Sequence, residues 1–196
     1  MITSLKPLFE LSGDSNLTSF YSALLLLFIS GLLFLITNLI KLNINKYEFR
    51  WVLLSVIFLY LSVDESVNIH ARLGAVFKKI IGSGNLPDYF QYGWVLPYLI
   101  VLVFLSLYFA RFFFSFDRKT IVRFAIAFIV YVTGAAGMEM IESKFHVLYG
   151  TYHLMYKILV AIEEIMEMTG SILFIRALLI YISENFADSG IKVVRK

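Results

Sequence analysis

Long apolar runs separated by short charged connections set the pattern of this chain. Phe20 to Ile40 is an apolar stretch of 21 residues broken only by small or weakly polar side chains, enough to cross a hydrocarbon core of about 30 Å as a helix. A second run is uncharged from Trp51 to Val63 and meets Asp64 and Glu65 without a helix breaker, so the helix is expected to continue to about Phe77. The segment from Gly82 to Asp88 (GSGNLPD) reads as a loop. Tyr92 to Ala110 forms a third run, which Pro97 is expected to kink near its start. A fourth is uncharged from Phe124 to Met138, is followed by Glu139, Glu142 and His146, and ends near Gly150. The fifth extends from about His153 to about Ile182, with Glu163, Glu164 and Glu167 close to its middle. Internal repeats and low-complexity linkers are absent from the sequence. The pattern predicts an all-α polytopic transmembrane bundle, a single integral membrane domain over residues 1–196 with spans at approximately 20–42, 50–77, 91–114, 121–148 and 153–182.

Composition sharpens this class. The chain is 60% hydrophobic and only 16% charged, against roughly 25% charged in soluble domains, which argues against a soluble enzyme core, a disordered chain and a surface-attached module. Glu10 and Asp14 precede a first run as long as a full span, so the N-terminal segment is expected to be retained as an anchor. Zero cysteines exclude disulfides, thiolate metal sites and a cysteine nucleophile, leaving nitrogen and oxygen ligands for any metal.

The net charge of +3 is carried in connections between spans, which makes it a topology signal and excludes nucleic acid as a partner. Lys41, Lys46, Arg50, Arg111, Arg118, Lys119, Arg123, Arg176, Lys192, Arg195 and Lys196 fall on one side; Lys6, Arg72, Lys78, Lys79, Lys144 and Lys157 fall on the other. The positive-inside rule then predicts the N-terminus outside and the C-terminus in the cytoplasm, in a bacterial inner (plasma) membrane. Tyr89, Tyr92, Trp94, Tyr149 and Tyr152 would form the outer aromatic belt, and Tyr47 and Trp51 the inner one.

The acidic residues carry the candidate chemistry. Seven of the 14 Asp and Glu lie inside predicted spans: Asp64, Glu65, Glu139, Glu142, Glu163, Glu164 and Glu167. An ionised carboxylate at the bilayer centre costs roughly 2.5–3.5 kcal/mol, so seven facing lipid would cost on the order of 20 kcal/mol. They must therefore face one another, water or a cation. Three helices bring them to overlapping depths, which predicts one shared polar site in the outer half of the bundle. Glu139, Glu142 and His146 share a helix face, as do Tyr156, Glu163, Glu167 and Gly170. Gly134 to Gly137 are small enough to let a neighbouring helix approach. Glu65 and His70 lie about 140° apart on a straight helix, so both can point inward only if the helix bends.

The segments Leu61 to His70 (LSVDESVNIH) and Glu163 to Gly170 (EEIMEMTG) resemble a family of bacterial multi-pass membrane proteins with an LSxDExxxxH helix and a late EExxEMxG helix. The likeness covers about two thirds of the chain and implies no activity. Glu163-Glu164 is also similar to the EExxxR motif of intramembrane CAAX-type proteases. However, Glu167 and Met168 stand where the arginine region should be and no histidine-bearing helix follows.

Two functional readings follow. In the first, a divalent metal (Fe, Mn or Zn) is held by Glu65, His70, Glu142, His146, Glu163 and Glu167, with Asp64, Glu65, Glu139 and Glu164 as catalytic groups. This gives a membrane enzyme whose activated water acts on a lipid or apolar substrate, with Pro97 opening a lateral cleft. In the second, the acids relay protons or cations in a transporter or channel. An accessory subunit of a membrane complex is a further alternative. The expected partners are the bilayer and a homo-oligomer or membrane partner. The plainest alternative makes the acids interhelical glue paired with Lys144, Lys157 and Arg72, which returns only about 0.6 kcal/mol per contact.

Overall fold

A computed structural model describes residues 17–41 and 48–186, and in these the chain is a helical bundle with no strand. The helices are α1 (Leu17–Lys41), α2 (Glu48–Val67), α3 (Ile69–Ile81), α4 (Val95–Phe113), α5 (Arg118–Val132), α6 (Glu139–Tyr149) and α7 (Leu154–Phe186), with a π-helical segment at Thr133–Met138 joining α5 to α6. Among the described residues four helical stretches are long and apolar enough to cross a membrane, or five if α2 and α3 count as one bent span. Tyr47 lies outside the described residues.

α1 and α2 pair antiparallel through small hydroxyl residues. The Ser30 hydroxyl donates to the Ser55 carbonyl at 2.8 Å and the Ser55 hydroxyl donates back to the Ser30 carbonyl at 2.9 Å. One end further on, Ser62 donates to the Ala23 carbonyl at 2.8 Å. With no hydrophobic driving force between helices in lipid, such close polar contacts between small residues hold a pair together.

The continuous helix expected through Asp64 to Phe77 does not form. α2 and α3 meet at an angle of 79°, because Asn68 takes a left-handed conformation (φ 53°, ψ 51°), which asparagine tolerates better than most residues. The Asp64 carboxylate supports the break. Its Oδ1 accepts the His70 backbone N–H at 2.6 Å and lies 3.2 Å from His70 Nδ1, replacing helical acceptors lost at the bend. α3 then folds back over the bundle, where Gly74 packs on the backbone of Tyr92 and Trp94.

At the opposite end, aromatic rings fill the interior. Trp51 meets Phe112, Phe116 and Tyr181 with centroids 5.2, 5.7 and 5.2 Å away, and Phe58 stacks on Phe174. Trp51 is 2% exposed, so it is a core residue and not part of an interfacial belt. Tyr92 and Trp94 are likewise half-buried, whereas Tyr89, Tyr149 and Tyr152 are exposed. α4 is one continuous helix with Pro97 in its first turn, where the missing N–H removes no intrahelical bond. Only Val95 and Phe112, near its two ends, are fully buried.

α5 and α7 cross at glycine. A Cβ on Gly170 would lie 2.6 Å from the Tyr131 nitrogen, and one on Gly134 would lie 2.9 Å from Met166 Cβ. Gly170→Leu is therefore expected to destabilise the folded protein by at least about 1–3 kcal/mol through overpacking. Gly31→Ala, where nothing lies within 4 Å of the added carbon, should be neutral or stabilising. Thermal melts of both variants in one detergent check this; equal melting points would contradict the close crossing.

Candidate functional site

A cavity of 1490 Å³ opens between α2, α3, α4, the π segment, α6 and α7. Its lining includes Asp64, Glu65, His70, Glu139, Glu142, His146, Glu163, Glu164 and Glu167, so all seven intramembrane acids and two of the three histidines share one space. His153 is absent from the wall: it is exposed, and its Nδ1 accepts the Met155 N–H at 3.2 Å at the start of α7.

Within the cavity the groups fall into separate sets. Glu139, Glu142 and Glu163 each present a carboxylate oxygen so that the three atoms lie within 4.8 Å of one another. The π segment brings this about. Its Gly134 lets α7 approach at Met166 and Glu167, and α6 begins directly after the segment with Glu139 in its first turn. Glu142 is 2% exposed, and its Oε1 has no hydrogen-bond partner. Trp94 donates its indole N–H to Glu139 Oε1 at 3.0 Å.

His70 and His146 are engaged elsewhere. His70 is held by Asp64 and packs on the Trp94 ring at 4.9 Å. Asp64 Oδ2 also accepts from Tyr98 at 3.4 Å, and Tyr98 pairs with Tyr60 at 2.7 Å. His146 Nδ1 lies 3.3 Å from the Tyr92 hydroxyl, which donates to Tyr156 at 3.0 Å. Burial, followed by the Tyr156 contact, pushes the Tyr92 phenol well above its ordinary range, so it remains a proton donor. Glu65, Glu164 and Glu167 line the cavity beside the three-carboxylate cluster; the buried Glu164 Oε2 also lacks a hydrogen-bond partner.

Several site residues have no acidic signature in the sequence. Trp94, Tyr92 and Tyr98 enter because the chain between α3 and α4 is pinned to α6. Ser143, fully buried, donates to the Asp88 carbonyl at 2.6 Å and accepts the Gln91 N–H at 3.0 Å. A serine three residues before His146 gives little warning of that role.

The arrangement has a clear electrostatic demand. Two carboxylates about 4.8 Å apart repel by about 3–4 kcal/mol at an effective dielectric near 20. Three ionised at once would cost on the order of 10 kcal/mol, as much as a typical domain's whole stability. The cluster must share protons or hold a cation. No curated protein and no solved structure matches the chain. A family described as a domain of unknown function, DUF8692, matches residues 3–182, nearly the entire length, and the chain belongs to that family.

Proposed function

We propose that Glu139, Glu142 and Glu163 hold a hard divalent cation inside the membrane, and that the protein is a metal-dependent membrane enzyme acting on a lipid or apolar substrate. The observation that carries this reading is that Glu142, a member of the three-carboxylate cluster, is 2% exposed and has a buried Oε1 without a hydrogen-bond partner. A buried polar atom left unpaired costs about 1–3 kcal/mol, more when charged; a cation at the cluster removes that cost and the mutual repulsion together. An all-carboxylate set suits manganese or magnesium better than zinc, and His70 and His146, each with a hydrogen-bonding partner of its own, support the cluster from outside it. A bound cation would polarise a substrate oxygen or lower the pKa of a water. Glu164 and Glu65 are then the neighbouring carboxyls able to take or return a proton, and Asp64 keeps His70 oriented on the facing wall.

A cation conduit has less support, because the aromatic packing around Trp51 and Tyr181 fills the far end of the bundle. The basic residues at that end, among them Arg111, Arg118 and Lys119, support a cytoplasmic placement for it in a bacterial plasma membrane, with the acid cavity toward the outside.

Two measurements test these proposals. Elemental analysis of protein purified without chelators and equilibrated with manganese is expected to give near one ion per chain, as a fully occupied site requires. Glu142→Gln and Glu163→Gln should each lose it, while Glu184→Gln, on the far side of the molecule beside Arg123, should keep it. Metal-free wild type, or undiminished binding in both cluster variants, would sink the cation site. For orientation, Gly84→Cys should react with an impermeant thiol reagent in intact cells and Arg118→Cys only after lysis, the wild type having no cysteine to interfere. The opposite pattern would reverse the topology.

A further inference from the structure

Beyond the acid cluster the cavity continues as an apolar slot. The Tyr98–Asp64 contact sets α4 and α2 level with each other. From there the lining runs along α2 through Leu61, Ile57 and Val56, and along α4 through Val101, Leu102 and Leu105. Eight residues separate Asp64 from Val56 and seven separate Tyr98 from Leu105, so at 1.5 Å per residue the slot extends about 10–12 Å past the acids. It exists because α4 is fully buried only near its ends. Val56 and Val101 line the slot yet are 54% and 55% exposed. On helices crossing a membrane that exposure is to lipid chains, so the slot opens sideways into the hydrocarbon.

The head end is selective by charge. Three carboxylates already over-neutralise a divalent ion, and the remaining coordination positions of a hard cation suit neutral oxygen donors. Asp64, Glu65, Glu164 and Glu167 line the wall around the cluster against one lysine, Lys78, so the wall offers a headgroup polar oxygens and little positive charge to pair with an anion. We infer that the substrate is an uncharged amphiphile, an alcohol, ester or amide, which enters between α2 and α4 with its oxygen at the acid cluster and its chain in the slot. This inference rests on the cation reading above.

The protein contains two tryptophans. Trp51→Phe leaves Trp94, whose indole contacts Glu139 in the cavity, as sole reporter. In manganese-equilibrated protein in phosphatidylcholine nanodiscs, its metal content measured in parallel, a long-chain alcohol brominated beside its hydroxyl is expected to quench Trp94 saturably. The matching brominated alkyl sulfate should need at least about tenfold more. Adding Ile57→Phe and Leu102→Phe, which fill the slot but leave the carboxylates intact, should abolish saturable quenching without changing metal content. Equal quenching by alcohol and sulfate, or unchanged quenching in the slot-filled protein while metal remains bound, overturns this inference alone. A parent protein without metal overturns the cation reading and this inference with it.

Discussion

The repulsion among carboxyl groups gathered in a low-dielectric cavity is the constraint on which the rest of this structure depends. Seven acids lie within helices long and apolar enough to cross a membrane or within the bent α2–α3 pair, and all seven line one space. Facing lipid would be too costly for them, and so would crowding together as bare anions. The bundle turns them toward one cavity, and the tightest group, Glu139, Glu142 and Glu163, is left needing positive charge or protons.

The remainder of the fold holds that arrangement against its tendency to open. Glycines at 134 and 170 let α5 and the π segment lie directly against α7, which brings Glu139 and Glu142 up to Glu163. The Asp64 carboxylate supports the sharp bend after α2 and so roofs the cavity with α3. Ser143 ties the segment before α4 to α6, presenting Trp94 to Glu139 and Tyr92 to Tyr156. At the other end the rings around Trp51 close the bundle. α4, fastened near its ends, leaves an opening beside the site.

Much of this is legible in the sequence because cost is legible. Apolar length alone gives the helical bundle, and the expense of intramembrane acids predicts that those on three helices converge. The angle between Glu65 and His70 lets both point inward only if the helix bends, yet the apolar pattern reads as one continuous helix to Phe77. What periodicity cannot supply is where the backbone leaves the regular helix: the left-handed Asn68 and the π turn at Thr133–Met138 depend on tertiary contacts, and they decide which carboxyls meet. For the same reason nothing in the sequence pattern warns that His70 Nδ1 lies beside Asp64 and His146 Nδ1 beside the Tyr92 hydroxyl. Trp51 reads as an interfacial residue because it begins an apolar run, but the packing of α4 and α7 over it makes it core.

The central claim, that the cluster is built for a cation and not for shared protons, is tested most directly by melting wild type and Glu142→Gln with manganese and with chelator. The account predicts that manganese stabilises wild type, by about 2.7 kcal/mol at a hundredfold excess over Kd, and does nothing for the variant. In chelator the variant, relieved of one buried like charge, should melt above wild type. A wild type indifferent to manganese, together with a variant less stable in chelator, would contradict the account and assign the cluster to proton-shared packing between helices.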